Sequence, residues 1–513
     1  MIKCSTQGGS ALWGLLSILV MGALAALVQT LSEVQGRQAQ QLRTERVLAL
    51  ARDALLGRAL SDANMPASLP CPDFLTNISN NNVPNDGIAD LLSGSQCPAY
   101  LGHFPWRTLR LDDLRDGAGA RLWYVLSPNF RDDDSARPQN SDTLAQLSWD
   151  DGAPEKPVAI VFAPGPALDG QLRSTVQEND SAQFLEGENA NGDQVFSRQF
   201  RSAIFNDQAI AITRGMLFPL VERRVLREVR ACLDEYAALS GGKYPWASPF
   251  NEVRYWGMWQ TRFGRLPLQP NPLLTAGSDS TVAFVQAAVG VQVALNNYAA
   301  SNNGTSRAAL SSAASQMQSA QTAAVDPIDS NLRQLGQQAA DLATSLAKKT
   351  SSAGAAVIQA QINSLQGTLN QLRSALSSAG LTDPAMALGW GPRCTVFASG
   401  YWESWRNLLF YQLAEGMGPG EAASCGTGCL RISGGSPAQE GSFPAVVISA
   451  GAALATQNHA NSADVTAYLE GVNQHAPADH PPLNFVTYSV QQVAAFQQVN
   501  DQVLCVDGGV KCR

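Results

Sequence analysis

Apolar and polar positions change their spacing several times along the chain, and each change marks an element. The segment "ALWGLLSILVMGALAALV" from Ala11 to Val28 is apolar apart from Ser17, and no charge falls between Lys3 and Glu33. A run of about 18 apolar residues is what a spanning helix requires. The pattern therefore predicts a transmembrane helix over residues 10–32. The chain continues as "SEVQGRQAQQLRTERVLALARDALLGRAL", without proline, and Val47, Leu50, Ala51, Ala54 and Leu55 recur at helical spacing. That stripe predicts one long helix whose second half packs on a soluble domain. A cleaved secretory signal would have a shorter apolar region, roughly 7–15 residues, followed by a break.

A second helical stripe is formed by Val225, Val229, Cys232, Leu233 and Tyr236. Between and after the helices lie short apolar runs broken by Gly, Asn and Asp, the pattern of antiparallel strands. These runs repeat. "VAIVFAPGPAL" at Val158 is echoed by "AVVISAGAAL" at Ala445, "FLEGENANG" at Phe184 by "YLEGVNQHA" at Tyr468, and "FNDQAIAITRG" at Phe205 by "VNDQVLCVDGG" at Val499. The helices also repeat, "ERVLALARDALLGRAL" leading into "LPCPD" and "ERRVLREVRACLDEYAAL" into "YPWASP". The expected fold class is thus α+β, a helix-on-antiparallel-sheet unit used twice behind the transmembrane helix.

The echoes "GHFPW" and "GRLPL" lie about 160 residues apart, whereas the later echoes lie about 285 apart, so about 120 residues enter the second copy. There the composition turns rich in Ala, Ser and Gln. Leu332, Leu335, Ala339, Leu342 and Leu346, then Ile358, Ile362, Leu365, Leu369, Leu372 and Leu376, are spaced as heptad seams, with "KKTSSAG" between them. This predicts a helical-hairpin, coiled-coil insertion with a further helix around Val282 to Tyr298. The expected organisation is a leader-like segment 1–9, the membrane helix 10–32, a first unit 33–219, a second unit 220–275 with 386–513, and the insertion 276–385.

Charge and cysteine content narrow the classes. The 513 residues carry a net charge of −8 with no basic run, which removes the electrostatic footprint of a nucleic-acid binder. Cys4 precedes the apolar segment and eight cysteines follow it. Loops closed by Cys71 and Cys97, by Cys425 and Cys429, and by Cys505 and Cys512 read as disulfides of an oxidising compartment, with free buried thiols as the alternative. Spacing leaves the pairing of Cys232 and Cys394 open.

The opening "KCSTQGGSALWGLLSILVMGALAALV", a half-membrane helix running under a small sheet, resembles the type IV pilins and type II secretion pseudopilins. The resemblance implies a prepilin-peptidase cut after Gly8 or Gly9, leaving Gly9 or Ser10 as the first residue and removing Cys4. It implies other pilin-like subunits, prepilin peptidase and the lipid bilayer as partners. It also implies a single-pass location in a bacterial inner membrane, with the body in the periplasm or in an extracellular filament. The family pattern has Glu at the fifth mature position, where this chain has Trp13 or Gly14. A subunit without a neighbour above it can dispense with that carboxylate, so the resemblance points to a minor or tip-like subunit. The alternative is an uncleaved bitopic periplasmic binding or adhesion protein.

Catalytic motifs are not found: no Gly-x-Ser-x-Gly elbow and no phosphate loop stand at the required spacing, so a non-enzymatic role is expected. "NNNVPNDGIAD" places Asn82, Asp86 and Asp90 at calcium-ligand spacing, with Pro84 where an oxygen is needed, and it reads either as a calcium loop or as a surface turn. His459, His475 and His480 share one stretch, at a spacing that matches no metal motif.

Overall fold

The computed structural model describes residues 9–74, 85–133, 139–174, 177–274, 277–350, 352–434, 441–460, 463–474, 484–487 and 499–508, with only part of the side chains before Val34. The chain divides into two units. The first comprises Met1–Arg58, Ser68–Asp133 and Leu144–Thr213, and the second Ala59–Ala67, Asp134–Thr143 and Arg214–Arg513.

The first unit opens with α1 (Gly9–Ser61), which at 1.5 Å per residue is about 80 Å long. Residues 10–32 lie within it, but among the described residues no helix is long and apolar enough to cross a membrane, and the expected transmembrane span is corrected accordingly. From Val34, where description is unbroken, α1 carries Arg37, Arg43, Glu45, Arg46, Arg52, Asp53 and Arg58. That is a charge at about every turn, which hydrocarbon does not accept. The buried stripe of α1 is Thr44, Leu48, Ala51 and Leu55, whereas Leu50 is exposed. It is rotated from the expected one because Thr44 takes a place in it. The Thr44 hydroxyl donates to Gln40 O and accepts from Gly117 N–H, so its burial is satisfied.

The strands that follow are β1 (Leu101–His103), β2 (Trp123–Leu126), β3 (Ser148–Trp149), β4 (Pro157–Ala163), β5 (Val195–Phe196) and β6 (Gln208–Thr213). β1, β2, β4 and β6 form an antiparallel sheet in the order β1-β2-β4-β6, and β3 pairs with β5 in parallel. With strand period two, Trp123 and Val125 share a face with Ile160 and Phe162. Leu147, Trp149, Leu185 and Phe196 close that face into one core.

In the second unit α2 (Arg214–Leu239) leads to β7 (Phe263–Arg265). Val225, Val229, Cys232, Leu233 and Tyr236 are all buried. Four helices then intervene, α3 (Asp279–Ala300), α4 (Gly304–Ala323), α5 (Ser330–Ala347) and α6 (Ala355–Ser378), followed by the single turn α7 (Trp402–Trp405). The strands resume with β8 (Leu409–Leu413), β9 (Arg431–Gly434), β10 (Ala445–Ser449), β11 (Asn484–Thr487) and β12 (Gln502–Val506). The sheet order is β12-β10-β8-β7, with β9 and β11 paired in parallel. Read from its edge, this is the arrangement of the first unit, strand for strand. α2 packs on β10 and β12.

The insertion differs from the expectation by one helix. α4 adds to the two heptad helices α5 and α6 and to α3, with α3 packed on α4, α5 and α6, α4 on α5, and α5 on α6. Its core contribution is small, Leu310, Ala313, Ala314 and Met317, so an Ala/Ser/Gln sequence hides its period.

The corresponding edge strands β1 and β7 each have a central glycine that admits a neighbouring segment. A Cβ on Gly264 would sit 2.0 Å from Ser248 O, and one on Gly102 3.0 Å from Asp73 O. Gly264→Ala should therefore cost about 2 kcal/mol or more, because backbone must move. Gly57→Ala, in helix with nothing within 4 Å of the new Cβ, should gain about 0.5–1 kcal/mol. Chemical denaturation of the two variants checks the contrast.

Candidate functional site

Two features stand out: an exposed apolar stretch on α1 and a buried polar cluster present once in each unit.

The described side chains in the first turns of α1 include Trp13, Leu15, Leu16, Leu19, Val20, Met21 and Leu24, all at least half exposed, with Trp13 at 72% and Leu19 at 66%. Ser17 returns its hydroxyl to Trp13 O at 2.8 Å, which removes one polar group from this surface. Gly9 and Ser10 are the first residues of α1, while Gly8 lies outside the described residues.

In the first unit Glu186 and Asp207 meet below the entry to β6. Asp207 Oδ2 accepts from Glu186 N–H and Asn189 Nδ2, each at 2.9 Å. Glu186 Oε2 accepts from the N–H groups of Asn206 and Asp207 at 2.9 and 3.0 Å, and Oε1 from Gln171 Nε2 at 2.9 Å. The second unit repeats the cluster atom for atom. Asp501 Oδ2 accepts from Glu470 N–H and Asn473 Nδ2, each at 2.9 Å. Glu470 Oε2 accepts from the N–H groups of Asn500 and Asp501, and Oε1 from Gln457. Asn206 and Asn500 donate to Pro166 O and Ala452 O, bracing the turns at Gly165 and Gly451, each at φ +68°. The echoed sequences Phe184–Gly192 and Phe205–Gly215 bring these residues together because the short helical turn after Glu186 faces the start of β6.

Burial and the adjacent Glu186 carboxylate push Asp207 well above the usual carboxylate range, and Glu470 acts on Asp501 in the same way. Two carboxylates held together out of water cannot both ionise cheaply, so each pair keeps a proton to higher pH than free carboxyl groups do.

Aromatic contacts complete the correspondence with an exchange. In the first unit His103 lies 4.5 Å from Trp123 and 6.4 Å from Phe184, and the Arg173 guanidinium 5.2 Å from Phe184. In the second, Arg265 occupies the place of His103, 4.4 Å from Phe410 and 4.3 Å from Tyr468, and His459 that of Arg173, stacked on Tyr468 at 4.4 Å.

Cys71 is bonded to Cys97, Cys425 to Cys429, and Cys232 to Cys394, the pairing that spacing left open. Cys505 is also disulfide-bonded, and Cys512 lies outside the described residues. Of the calcium candidates, Asn82 lies outside the described residues. Asp86 accepts from Ile88 N–H and faces Arg107 at 3.6 Å, and Asp90 accepts from Phe74 N–H. No group of three His, Cys, Asp or Glu residues gathers as a metal site among the described residues. His459 Nδ1 sits 2.7 Å from Asp142, and His475 and His480 lie outside the described residues.

No protein-family model matches the chain, and neither the curated proteins nor the solved structures yield a match.

The residues sequence reasoning missed are Gln171, Glu186, Asn189, Asn206 and Asp207 with their counterparts Gln457, Glu470, Asn473, Asn500 and Asp501. The available signal was polar identity kept between two copies that otherwise differ.

Two predictions follow from the site. Burial lifts Asp73 and Glu222 to about 7, and Asp207, Glu470 and Asp501 are raised as well. Between the unfolded carboxylate values near 4 and these folded values, the folded chain holds more protons. Stability therefore falls as pH rises through this range. His103, lowered by burial, opposes this below about pH 6.5 but is a single group. The melting temperature should be higher at pH 5.5 than at 7.5, and Asp207→Asn, which imitates the protonated acid, should flatten the dependence. Because the oxygens of Asp86 and Asp90 are already engaged, millimolar calcium should leave the melting temperature unchanged.

Proposed function

We propose that the chain is a non-enzymatic, pilin-like structural subunit that acts in a minor or tip position of a type IV pilus or type II secretion pseudopilus. The observation that carries this reading is the exposed apolar surface of α1, from Trp13 to Leu24, ahead of units that bury their own apolar residues. Apolar surface in water costs about 25 cal/mol per Å², and a contiguous patch of it marks an interaction site. The occupant proposed here is the corresponding helix of other pilin-like subunits, packed side by side. The doubled α+β head and the four-helix insertion are carried outward by this stem.

Three further observations support the reading. The disulfides suit an extracytoplasmic, periplasmic compartment. The residue at the fifth position after the proposed prepilin-peptidase cut, Trp13 or Gly14, carries no carboxylate, as a subunit lacking an upper neighbour allows. The carboxyl clusters of both units accept from their own asparagines, glutamines and backbone N–H groups, an arrangement that suits a structural role.

A photo-crosslinker placed at Leu16 or Leu19 in the full chain in cells should capture a second pilin-like subunit. Capture of none would refute the stem as a docking surface. Mass spectrometry should find Gly9 or Ser10 as the first residue in cells with prepilin peptidase, and an intact Met1 in those cells would remove the processing step.

A further inference from the structure

The disulfide-bonded cysteines are not alike. Cys71, Cys97, Cys232, Cys394 and Cys505 are buried, at 1–6% exposure. Cys425 and Cys429 are both half-buried, among the exposed residues Ser424, Gly426 and Thr427. They are also only four positions apart, against 26 for Cys71–Cys97 and 162 for Cys232–Cys394. The chain entropy that a cross-link removes from the unfolded state grows with the length of the loop it closes, so this bond gains least by that route.

The fold around the ring is held by other means. The ring encloses a single turn, Gly426–Gly428, with Gly428 N–H donating to Cys425 O at 2.7 Å. Ahead of it Ser424 N–H donates to Gly416 O, and the two segments lie so close that a Cβ on Gly416 would sit 2.2 Å from Ser424 O. Behind it Leu430 is buried and exchanges both backbone hydrogen bonds with Phe443, at 2.9 and 2.8 Å. Each flank is fixed without the sulfurs.

A second, independent observation comes from the duplication. The connection from β8 to β9 corresponds to that from β2 to β3 in the first unit, residues 127–147, which hold no cysteine. The frame forms without this bond, so the need to build the unit does not account for it. A disulfide that solvent reaches and the fold can do without is suited to being broken and remade, and exposed disulfides are the labile and regulatory ones.

We infer that Cys425–Cys429 is a thiol–disulfide exchange site, opened by a dithiol while the buried disulfides and the fold stay intact. A thiolate of the dithiol attacks one of the two sulfurs, forming a mixed disulfide and releasing the other cysteine, which takes up a proton. The second thiol of the dithiol then attacks the dithiol's own sulfur in that mixed disulfide, closes a disulfide within the reagent and releases the second cysteine. The dithiol gives up two electrons and two protons, and the protein holds them as two thiols on the turn into β9. The inference is independent of the assembly role and survives its failure.

The test uses dithiothreitol as the probe on the purified, oxidised full chain under native conditions, with iodoacetamide quenching and peptide mass mapping. Cys425 and Cys429 should be alkylated at a dithiothreitol concentration roughly tenfold or more below that which labels Cys71, Cys97, Cys232 or Cys394, with the far-ultraviolet circular dichroism unchanged. Once the dithiol is removed, glutathione disulfide should close the ring again and abolish the labelling. The double variant Cys425→Ser/Cys429→Ser should fold and leave the labelling of the other cysteines as it was. Labelling of Cys425 and Cys429 only together with the buried cysteines, loss of secondary structure as they are labelled, a ring that does not close again, or a double variant that does not fold would each overturn the inference.

Discussion

Each unit of this protein depends on a carboxyl pair sealed away from water. Glu186 with Asp207, and Glu470 with Asp501, fasten a short helical turn to the entry of the last strand by accepting backbone N–H groups on both sides. These N–H groups lie where neither helix nor sheet can satisfy them, and an unmet buried donor costs about 1–3 kcal/mol. The asparagines then brace the turn that leaves the preceding strand. Removing the acids would therefore loosen three connections at once, which explains why they are kept in both copies while apolar neighbours drift.

The two units otherwise treat the same frame differently. Strand order, the parallel side pair and the tyrosine anchors are common: Tyr124 donates to Pro70 O and Tyr411 to Pro245 O. Histidine and arginine trade places around Phe184 and Tyr468, so each aromatic ring keeps a nitrogen base on either side. The aromatic layer tolerates the exchange because both side chains offer a flat, polarisable face. What changes is the partner of the cationic side chain, backbone carbonyls for Arg173 in one unit and Asp142 for His459 in the other.

Much of the architecture was legible in the sequence because it rests on periodicity. The stripe of α2 lies buried, as do Leu332, Ala339 and Leu346 of the first seam and Leu365, Leu369, Leu372 and Leu376 of the second, while Leu335, Leu342, Ile358 and Ile362 are half-buried. The echoes located the second sheet for the same reason. The span expected over residues 10–32 does not stand, because among the described residues no helix is long and apolar enough to cross a membrane. Leu50 was misplaced because a threonine, Thr44, could enter the buried stripe once its hydroxyl was paired. α4 was missed because alanine and serine pack closely without a period of large side chains.

The Cys232–Cys394 bond spans 162 positions and joins α2 to the segment that follows the insertion. Everything between, including β7 and the whole four-helix array, is one covalent ring. A protease that nicks an exposed turn there, such as the one near Lys348 and Lys349, opens the ring without releasing a fragment. The molecule keeps its mass and its two roots stay in register until a reductant reaches the sulfurs. The appendage can thus endure cutting in a protease-rich setting in a way that a simple chain insertion could not.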